Sequence, residues 1–223
     1  MVVVLSYVAV LVAGAINIGW DFYLKSYHKG EANNTVALSF DDGPEGGTLA
    51  ILDILKAEGV KAAFFWIGRK VTESPEIVKR AYDEGHIIGN HSYEHGFNFD
   101  WKSAAKMQEE IEQTNQAIEG IIHRKPVFFR PPYGVTNPNL AKAVKRTGLY
   151  SIGWSIRSFD TTADNKEQLL DRVLGKIKGG DIILLHDNRS ITADILTDLI
   201  RKARERGFTF VPLNELLKLE PYK

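Results

Sequence analysis

The sequence predicts an α/β domain of parallel strands, closed or nearly closed as a barrel. Along 35–223, short apolar runs rich in β-branched and aromatic residues alternate with segments of helical spacing. Glycines follow several helix-like stretches, where a left-handed C-terminal cap is common. Repeated strand–helix alternation favours parallel strands joined by right-handed crossovers. An open doubly wound sheet is the alternative, and in both folds the active site lies at the carboxyl ends of the strands.

The individual elements follow from their hydrophobic periods and their end signals. Seven strands are predicted, at 36–40, 62–67, 86–89, 127–130, 150–156, 182–186 and 208–211. Helices are predicted at 48–55, 74–84, 101–122, 137–145, 166–178 and 192–206. Ser74 before Pro75 is typical of an N-cap followed by proline at the first helical position.

Composition excludes several classes of function. Lys and Arg total 28 and Asp and Glu total 28, so the net charge is zero and no basic field favours nucleic acid. Cysteine is absent, which excludes thiol catalysis, thiolate-bound zinc and disulfides. A metal site in this chain must therefore use histidine and carboxylate ligands.

The amino-terminal 20 residues contain no Asp, Glu, Lys, Arg or His. Their length and apolarity predict a transmembrane anchor over 1–20, with Trp20 and Tyr23 as interface aromatics. A cleaved signal peptide and a buried segment of the domain are the alternatives. Residues 21–34 are predicted to be a linker, and 35–223 the folded domain.

Polar side chains cluster at the predicted strand ends. Asp41 and Asp42 follow the first strand, where an Asx-turn would need only one carboxylate. His91 and His95 follow the third strand, four residues apart, which is expected to put both imidazoles on one face of a helical turn. Asp42, His91 and His95 would make a metal site with two nitrogen ligands and one oxygen, suited to zinc or another borderline divalent ion.

Further polar residues stand at the ends of the later strands. Arg130 opens the run Arg-Pro-Pro-Tyr-Gly, which is also consistent with a merely rigid loop. Asp160 follows the fifth predicted strand, and His186 ends the most apolar one. Location at one barrel mouth would make these residues candidates for acid–base chemistry.

Five of these motifs together resemble a known family. The sequences FDDGP at 40–44, HSYEH at 91–95, RPPYG at 130–134 and LLHD at 184–187, with Asp160, are similar in order and spacing to those of the polysaccharide deacetylases. This is the NodB-homology domain, or carbohydrate esterase family 4, and the resemblance spans about 35–216. It implies a distorted (β/α)7-type barrel and metal-dependent removal of N-acetyl groups from amino-sugar polymers.

The resemblance also implies a role for each matched residue. Asp42, His91 and His95 would hold one divalent metal, Zn²⁺ first, with Co²⁺, Ni²⁺ or Mn²⁺ as alternatives. Asp41 would be the general base, kept ionised by Arg130, and His186 the general acid, oriented by Asp160. The Tyr133 N–H would stabilise the oxyanion. Substrate contacts would come from Leu184, Tyr133 and Pro132.

The chain departs from the family pattern at two positions. Arg157 and Thr161 stand where the family usually has Asp and Trp. The loss of the Trp removes an aromatic wall, and Arg157 adds a cation near the mouth. An anionic glycan is one hypothesis for the use of Arg157.

These expectations define the predicted function. The leading hypothesis is a hydrolase acting on peptidoglycan, chitin-like oligosaccharide or exopolysaccharide, as a monomer held at the membrane through residues 1–20. Its catalytic domain would lie outside the cytoplasm in the cell envelope, or be secreted if 1–15 are cleaved. A non-catalytic glycan-binding module, an O-acetyl esterase and a small-amide hydrolase are the alternatives.

Overall fold

The computed structural model describes residues 2–31 and 33–223. The helices are α1 (Val2–Ile16), α2 (Gly46–Glu58), α3 (Gly68–Glu73), α4 (Pro75–Asp83), α5 (Ala104–Ile122), α6 (Pro138–Thr147), α7 (Lys166–Leu174), α8 (Ser190–Glu205) and α9 (Leu213–Leu217). The strands are β1 (Ser26–Tyr27), β2 (Thr35–Asp41), β3 (Ala63–Trp66), β4 (Ile87–Asn90), β5 (Phe128–Phe129), β6 (Tyr150–Ile152), β7 (Ile156–Arg157), β8 (Ile182–His186) and β9 (Thr209–Phe210).

The strands form one curled sheet in the order β1-β6-β5-β4-β3-β2-β8-β7, with β9 paired to β2. Every ladder between these strands is parallel. The predicted α/β class with a distorted barrel is therefore confirmed, as a half-barrel. The carboxyl ends of the parallel strands share one rim.

The central strand β2 shows how the core positions the site. Val36, Leu38 and Phe40 pack in one apolar cluster with residues of α2, α7 and α8. Ala37 belongs to the second cluster, on the other side of the strand, with residues of α5, α6 and α9. Side chains alternate along a strand, so Ser39 and Asp41 share the side of Ala37. The apolar alternation thus fixes the side of the sheet on which the first carboxylate lies.

One predicted strand is divided in two. The run 150–156 forms β6 and β7 with a break at 153–155. At the break, the Gly153 N–H donates to Tyr27 and the Gly153 carbonyl accepts from Arg130. A side chain at this position would crowd the amino-terminal segment, because an added Cβ would lie 3.1 Å from the Cβ of His28. The predicted single strand is wrong because backbone groups at 153 serve these partners.

The amino-terminal region differs from the expected anchor and linker. Helix α1 ends at Ile16, and within residues 2–31 and 33–223 no helix is long and apolar enough to cross a membrane. The prediction of a transmembrane helix is therefore not supported, and Met1 lies outside the described residues. The 21–34 segment contains β1, which pairs with β6 through Ser26 and Ser151, whose hydroxyls lie 2.7 Å apart. Part of the expected linker thus belongs to the sheet.

Candidate metal centre and acid–base site

The strand ends surround a cavity of about 350 Å³, here termed the site cavity. Its walls are Asp41, Asp42, His91, His95, Phe97, Tyr133, Gly134, Trp154, Arg157, Thr161, Leu184, His186 and Arg189. All the sequence-predicted site residues except Arg130, Asp160 and Pro132 therefore line one space. Those three are buried around it.

Three of these side chains form a candidate metal centre. One ligand atom each from Asp42, His91 and His95 lies within 4.8 Å of the others. The expected helical turn between the histidines is wrong, because residues 91–98 contain no helix and Ser92 and His95 have positive φ. An irregular loop after β4 brings the two rings to a centroid distance of 4.7 Å.

The donor set fits a borderline divalent ion. The His91 Nδ1 lies 2.8 Å from the Arg130 carbonyl oxygen, a contact in which Nδ1–H donates and Nε2 stays free as a ligand. Burial lowers the pKa of His91 well below its usual value, which keeps the ring neutral as ligation requires. Two imidazoles and a carboxylate without thiolate are typical of catalytic zinc sites.

The loop that carries the histidines is held by α5. The carboxylate of Glu110, itself buried, accepts from the backbone N–H groups of Tyr93 and Glu94, at 3.3 and 3.1 Å. Lys102 pairs with the same carboxylate. Glu110 therefore fixes the segment between the two candidate ligands, a role that the sequence did not reveal.

Asp41 and Arg130 form a buried ion pair at the end of β2. The Arg130 Nη1 donates to Asp41 Oδ1 at 2.7 Å and to Ser39 Oγ at 3.0 Å, and Nη2 donates to Gly153. The ring of Phe65 lies against the guanidinium, 4.1 Å from ring centroid to Cζ. Burial raises the pKa of Asp41, and Arg130 offsets that only in part. The expectation that Arg130 controls the protonation of Asp41 is thus incomplete, because burial is the larger influence.

His186 and Asp160 form a second pair, at the end of the neighbouring strand β8. The His186 Nδ1 lies 2.7 Å from Asp160 Oδ1, while the His186 backbone N–H and the Thr192 hydroxyl donate to Oδ2. Burial alone would lower the pKa of His186, but the hydrogen bond and charge of Asp160 outweigh it and raise the pKa. In register, His186 on β8 is the partner of Asp41 on β2. Two pairs of titratable groups thus lie on adjacent strands beside the candidate metal centre.

Tyr133, Leu184 and Pro132 differ in their access to the cavity. Tyr133 lines it with a φ of 58°, and its hydroxyl donates to the His95 carbonyl at 3.2 Å. Leu184 is buried but forms part of the wall, whereas Pro132 is buried and does not line the cavity. The substrate contact expected of Pro132 therefore stays a prediction.

Backbone strain is concentrated in the loops around the cavity. Among the described residues, eight non-glycine residues have positive φ, and five lie in these loops: Asp42, Ser92, His95, Tyr133 and Phe159. Such conformations cost of order 1–3 kcal/mol each and cluster at functional sites. The fold thus holds these loops in a costly geometry.

The polar support of the site is where sequence reasoning was least complete. Ser39 and Thr192 donate or accept hydrogen bonds directly with members of the two pairs, and neither belongs to the sequence motifs. Ser39 could have been found from its spacing, because it lies two residues before Asp41 in an otherwise apolar strand. Thr192 and Glu110 act across long sequence separations and carry no local signal.

Fold and site define an α/β half-barrel protein with a His/His/Asp centre between two acid–base pairs. A family model described as polysaccharide deacetylase matches residues 28–152. The chain belongs to the polysaccharide deacetylase family.

Two curated relatives bear on the substrate. The chain is 35% identical over 189 residues to the peptidoglycan-N-acetylglucosamine deacetylase PgdA of Listeria monocytogenes, covering 84% of this chain and 40% of that protein. It is 35% identical over 188 residues to the peptidoglycan-N-acetylmuramic acid deacetylase PdaA of Bacillus subtilis, covering 82% of this chain and 71% of that protein. The chain thus spans less than half of the Listeria relative.

Two solved structures bear on the fold and the site. The Bc1960 peptidoglycan N-acetylglucosamine deacetylase superposes with a TM-score of 0.84 at 32% identity, covering 89% of this chain and 95% of that one. A CE4 family pseudoenzyme from Bacillus anthracis superposes with a TM-score of 0.79 at 32% identity, covering 85% and 67%. Activity must therefore be argued from the site as well as from the fold.

Proposed function

We propose that the protein is a metal-dependent hydrolase that removes N-acetyl groups from the glycan of peptidoglycan. The observation that carries this proposal is the convergence of Asp42, His91 and His95 beside two buried acid–base pairs in one cavity. A binding module needs no such pairs. The names of the peptidoglycan deacetylases among the relatives support the choice of polymer.

The proposed chemistry begins with the attack of water on the acetamide carbonyl. A divalent ion held by Asp42, His91 and His95 would lower the pKa of a water to about 7 and stabilise negative charge on the carbonyl oxygen. Asp41 accepts the proton that the attacking water loses. Because burial raises the pKa of Asp41, the carboxylate is a stronger base than an exposed one.

Collapse of the tetrahedral intermediate needs a proton on the departing nitrogen. The Nδ1 of His186 is hydrogen-bonded to Asp160, which leaves Nε2 to donate that proton. Asp160 raises the pKa of His186 and so keeps the ring protonated near neutral pH. The Tyr133 N–H would donate to the oxyanion, a contribution of about 3–4 kcal/mol. The C–N bond breaks, and acetate and a free amine leave.

The metal and the reaction are tested together by metal removal. Full-length protein is stripped with a chelator and reloaded with Zn²⁺, Co²⁺, Ni²⁺ or Mn²⁺, and acetate release is measured on peptidoglycan, N-acetylglucosamine oligomers and acetylated xylan. We expect metal-dependent acetate from the first two, with Zn²⁺ effective, and none from Asp41→Asn. Acetate from the xylan alone would instead identify an O-acetyl esterase. Bound metal without acetate from any substrate would favour a binding module.

We further propose that the domain acts as a monomer in the cell envelope, outside the cytoplasm. A peptidoglycan substrate supports this location, as does the apolar helix α1, whose Val4, Tyr7 and Val12 are exposed. Completion of the site within one chain supports the monomer. The location is tested by fractionating cells that express the chain with or without residues 1–20. The monomer is tested by light scattering of the purified protein. Recovery of the intact chain in the cytoplasm would contradict the location.

A further inference from the structure

A second cavity, of about 540 Å³, lies beside the site cavity. The two cavities share two residues of their walls, Trp154 and Arg157. The outer wall of the second cavity is formed by the amino-terminal segment, at 16–19 and 28–29. A polymer whose acetamide lies in the site cavity would therefore find a neighbouring space for its next unit.

The amino-terminal wall is built into the domain. The Ala15 carbonyl accepts from Thr136, and Tyr27 accepts from Gly153, the residue whose own carbonyl accepts from Arg130. Ile18 is buried. The second cavity is therefore held by the same backbone that supports the buried ion pair.

The second cavity is positively charged. None of its described lining residues is Asp or Glu, whereas Lys29, Arg157 and Lys176 all contribute to it. Lys29 is neutralised by Asp181 at 3.0 Å. Arg157 and Lys176 are exposed and form no ion pair with any residue in the described ranges. In a chain with zero net charge, two unpaired cations in one cavity indicate an anionic ligand.

Arg157 is also held in a way that suits recognition of a sugar acid. Its guanidinium lies 5.1 Å from the ring centroid of Phe159 and 6.0 Å from that of Trp154. A cation–π contact uses none of the guanidinium N–H groups as hydrogen-bond donors, so they stay free to donate to a carboxylate as a bidentate pair. Exposed aromatic surface, with Phe159 at 43% exposure, suits the apolar face of a sugar ring.

We propose that the second cavity binds a carboxylate carried by a sugar of the glycan, with Arg157 as the main contact and Lys176 as a weaker one. This inference rests on the proposed function and assigns its substrate preference. The preferred substrate is an N-acetylated glycan with carboxylates on its sugars, rather than a neutral oligomer. A peptide-borne carboxylate shares the chemistry, and the test separates the two sources.

The test compares glycans that carry carboxylates on their sugars, on a peptide or not at all. Metal-loaded full-length protein is assayed on a peptide-free glycan with sugar carboxylates, on the same glycan with the carboxylates reduced to alcohols, and on the peptide-bearing glycan. Arg157→Gln is expected to lower the kcat/KM ratio of acidic to reduced glycan by roughly tenfold or more, the usual loss for a charged hydrogen bond. Lys176→Gln is expected to lower it by about threefold.

Lys178, two residues after Lys176, provides a matched control. Lys178 is exposed and lines neither cavity, so Lys178→Gln is expected to leave the ratio unchanged. An unchanged ratio in Arg157→Gln, or an equal drop in Lys178→Gln, would overturn the proposal. A preference that appears only with the peptide-bearing glycan would also overturn it, by assigning the cavity to peptide.

A binding measurement separates this inference from the proposed function. Calorimetric titration of Asp41→Asn with the acidic glycan requires no turnover. Binding that is weakened about tenfold by an added Arg157→Gln would support the cavity even if no acetate were released. Equal binding of acidic and reduced glycan would reject the cavity even if acetate were released.

Discussion

The charged groups around the two cavities fall into two contrasting sets. Asp41 with Arg130 and Asp160 with His186 are largely buried, and each pair has additional hydrogen bonds. Arg157 and Lys176 are exposed, and neither has an ion-pair partner in the described parts of the chain. A buried pair holds atoms in fixed positions, as proton transfer requires, whereas an exposed cation is available to a ligand. The difference separates the proposed chemistry from the proposed substrate preference.

The largest expected effect comes from breaking the first buried pair. Asp41→Asn keeps the shape of the side chain but removes the proton acceptor, so we expect kcat for acetate release to fall about 10³-fold. Asp194→Asn, which changes an exposed carboxylate of α8, serves as the control. Zinc content, measured by atomic absorption, should stay at the wild-type level. A fall of less than about tenfold would show that Asp41 is not the base.

A third buried carboxyl group, that of Asp187, has no ion-pair partner in the described parts of the chain. Asp187 accepts from Trp66 Nε1 and Thr48 Oγ1, both at 2.8 Å, and its Oδ1 has no hydrogen-bond partner. Burial raises the pKa of Asp187 to about 7 despite these two donors. Two neutral donors therefore do not offset the burial of this carboxyl group.

The sign of the resulting pH dependence follows from proton binding. The unfolded chain loses the Asp187 proton near pH 4, and the folded protein keeps it to about pH 7. The free energy of unfolding therefore falls as pH rises through that window, by up to about 4 kcal/mol from this group. In Asp187→Asn we expect a smaller fall between pH 4 and 7 in urea titrations of the metal-free protein. A fall as large as in wild type would show that Asp187 ionises normally.

The pair of Asp160 and His186 is expected to set the alkaline limb of the pH profile of kcat/KM for the proposed reaction. Asp160 raises the pKa of His186, so Asp160→Asn should lower it and deprotonate the acid at lower pH. We expect the alkaline limb of the kcat/KM profile to move down by about one to three pH units. Asp164→Asn, at an exposed position on the same loop, should leave the limb in place. An unmoved limb in Asp160→Asn would exclude His186 as the titrating acid.

The smallest expected effect tests how the ligand loop is held. Glu110→Gln removes the charge that pairs with Lys102 and weakens the acceptor of the loop N–H groups. We expect zinc affinity, measured by chelator competition, to fall about tenfold, as for other residues that support metal ligands. Glu109→Gln, at the exposed neighbouring position, should leave the affinity unchanged. If Glu110→Gln and Glu109→Gln bound zinc with the same affinity, Glu110 on α5 would not hold the loop.

The comparison also explains what the sequence could predict. Residues at the carboxyl ends of parallel strands must meet at one rim. The strand–helix alternation of the sequence was therefore enough to predict that Asp41, Asp42 and His186 lie close together. The local geometry of the histidine ligands was less predictable. The His91–His95 spacing suggested a helical turn, but the two rings are placed by an irregular loop that contains residues with positive φ. No sequence motif points to His86, whose Nδ1 accepts from the Ala62 N–H in the core. Such contacts depend on elements distant in sequence and leave no periodic pattern.

The central claim is that the buried pairs perform the chemistry while Arg157 selects the substrate. It is tested by measuring kcat/KM for three proteins on two substrates. Wild type, Asp41→Asn and Arg157→Gln are each assayed, with zinc bound, on the acidic glycan and on its carboxyl-reduced form. We expect Asp41→Asn to lower kcat/KM on both substrates by the same factor, and Arg157→Gln to lower the acidic-to-reduced ratio roughly tenfold. Equal losses on both substrates in Arg157→Gln, or a changed ratio in Asp41→Asn, would contradict it.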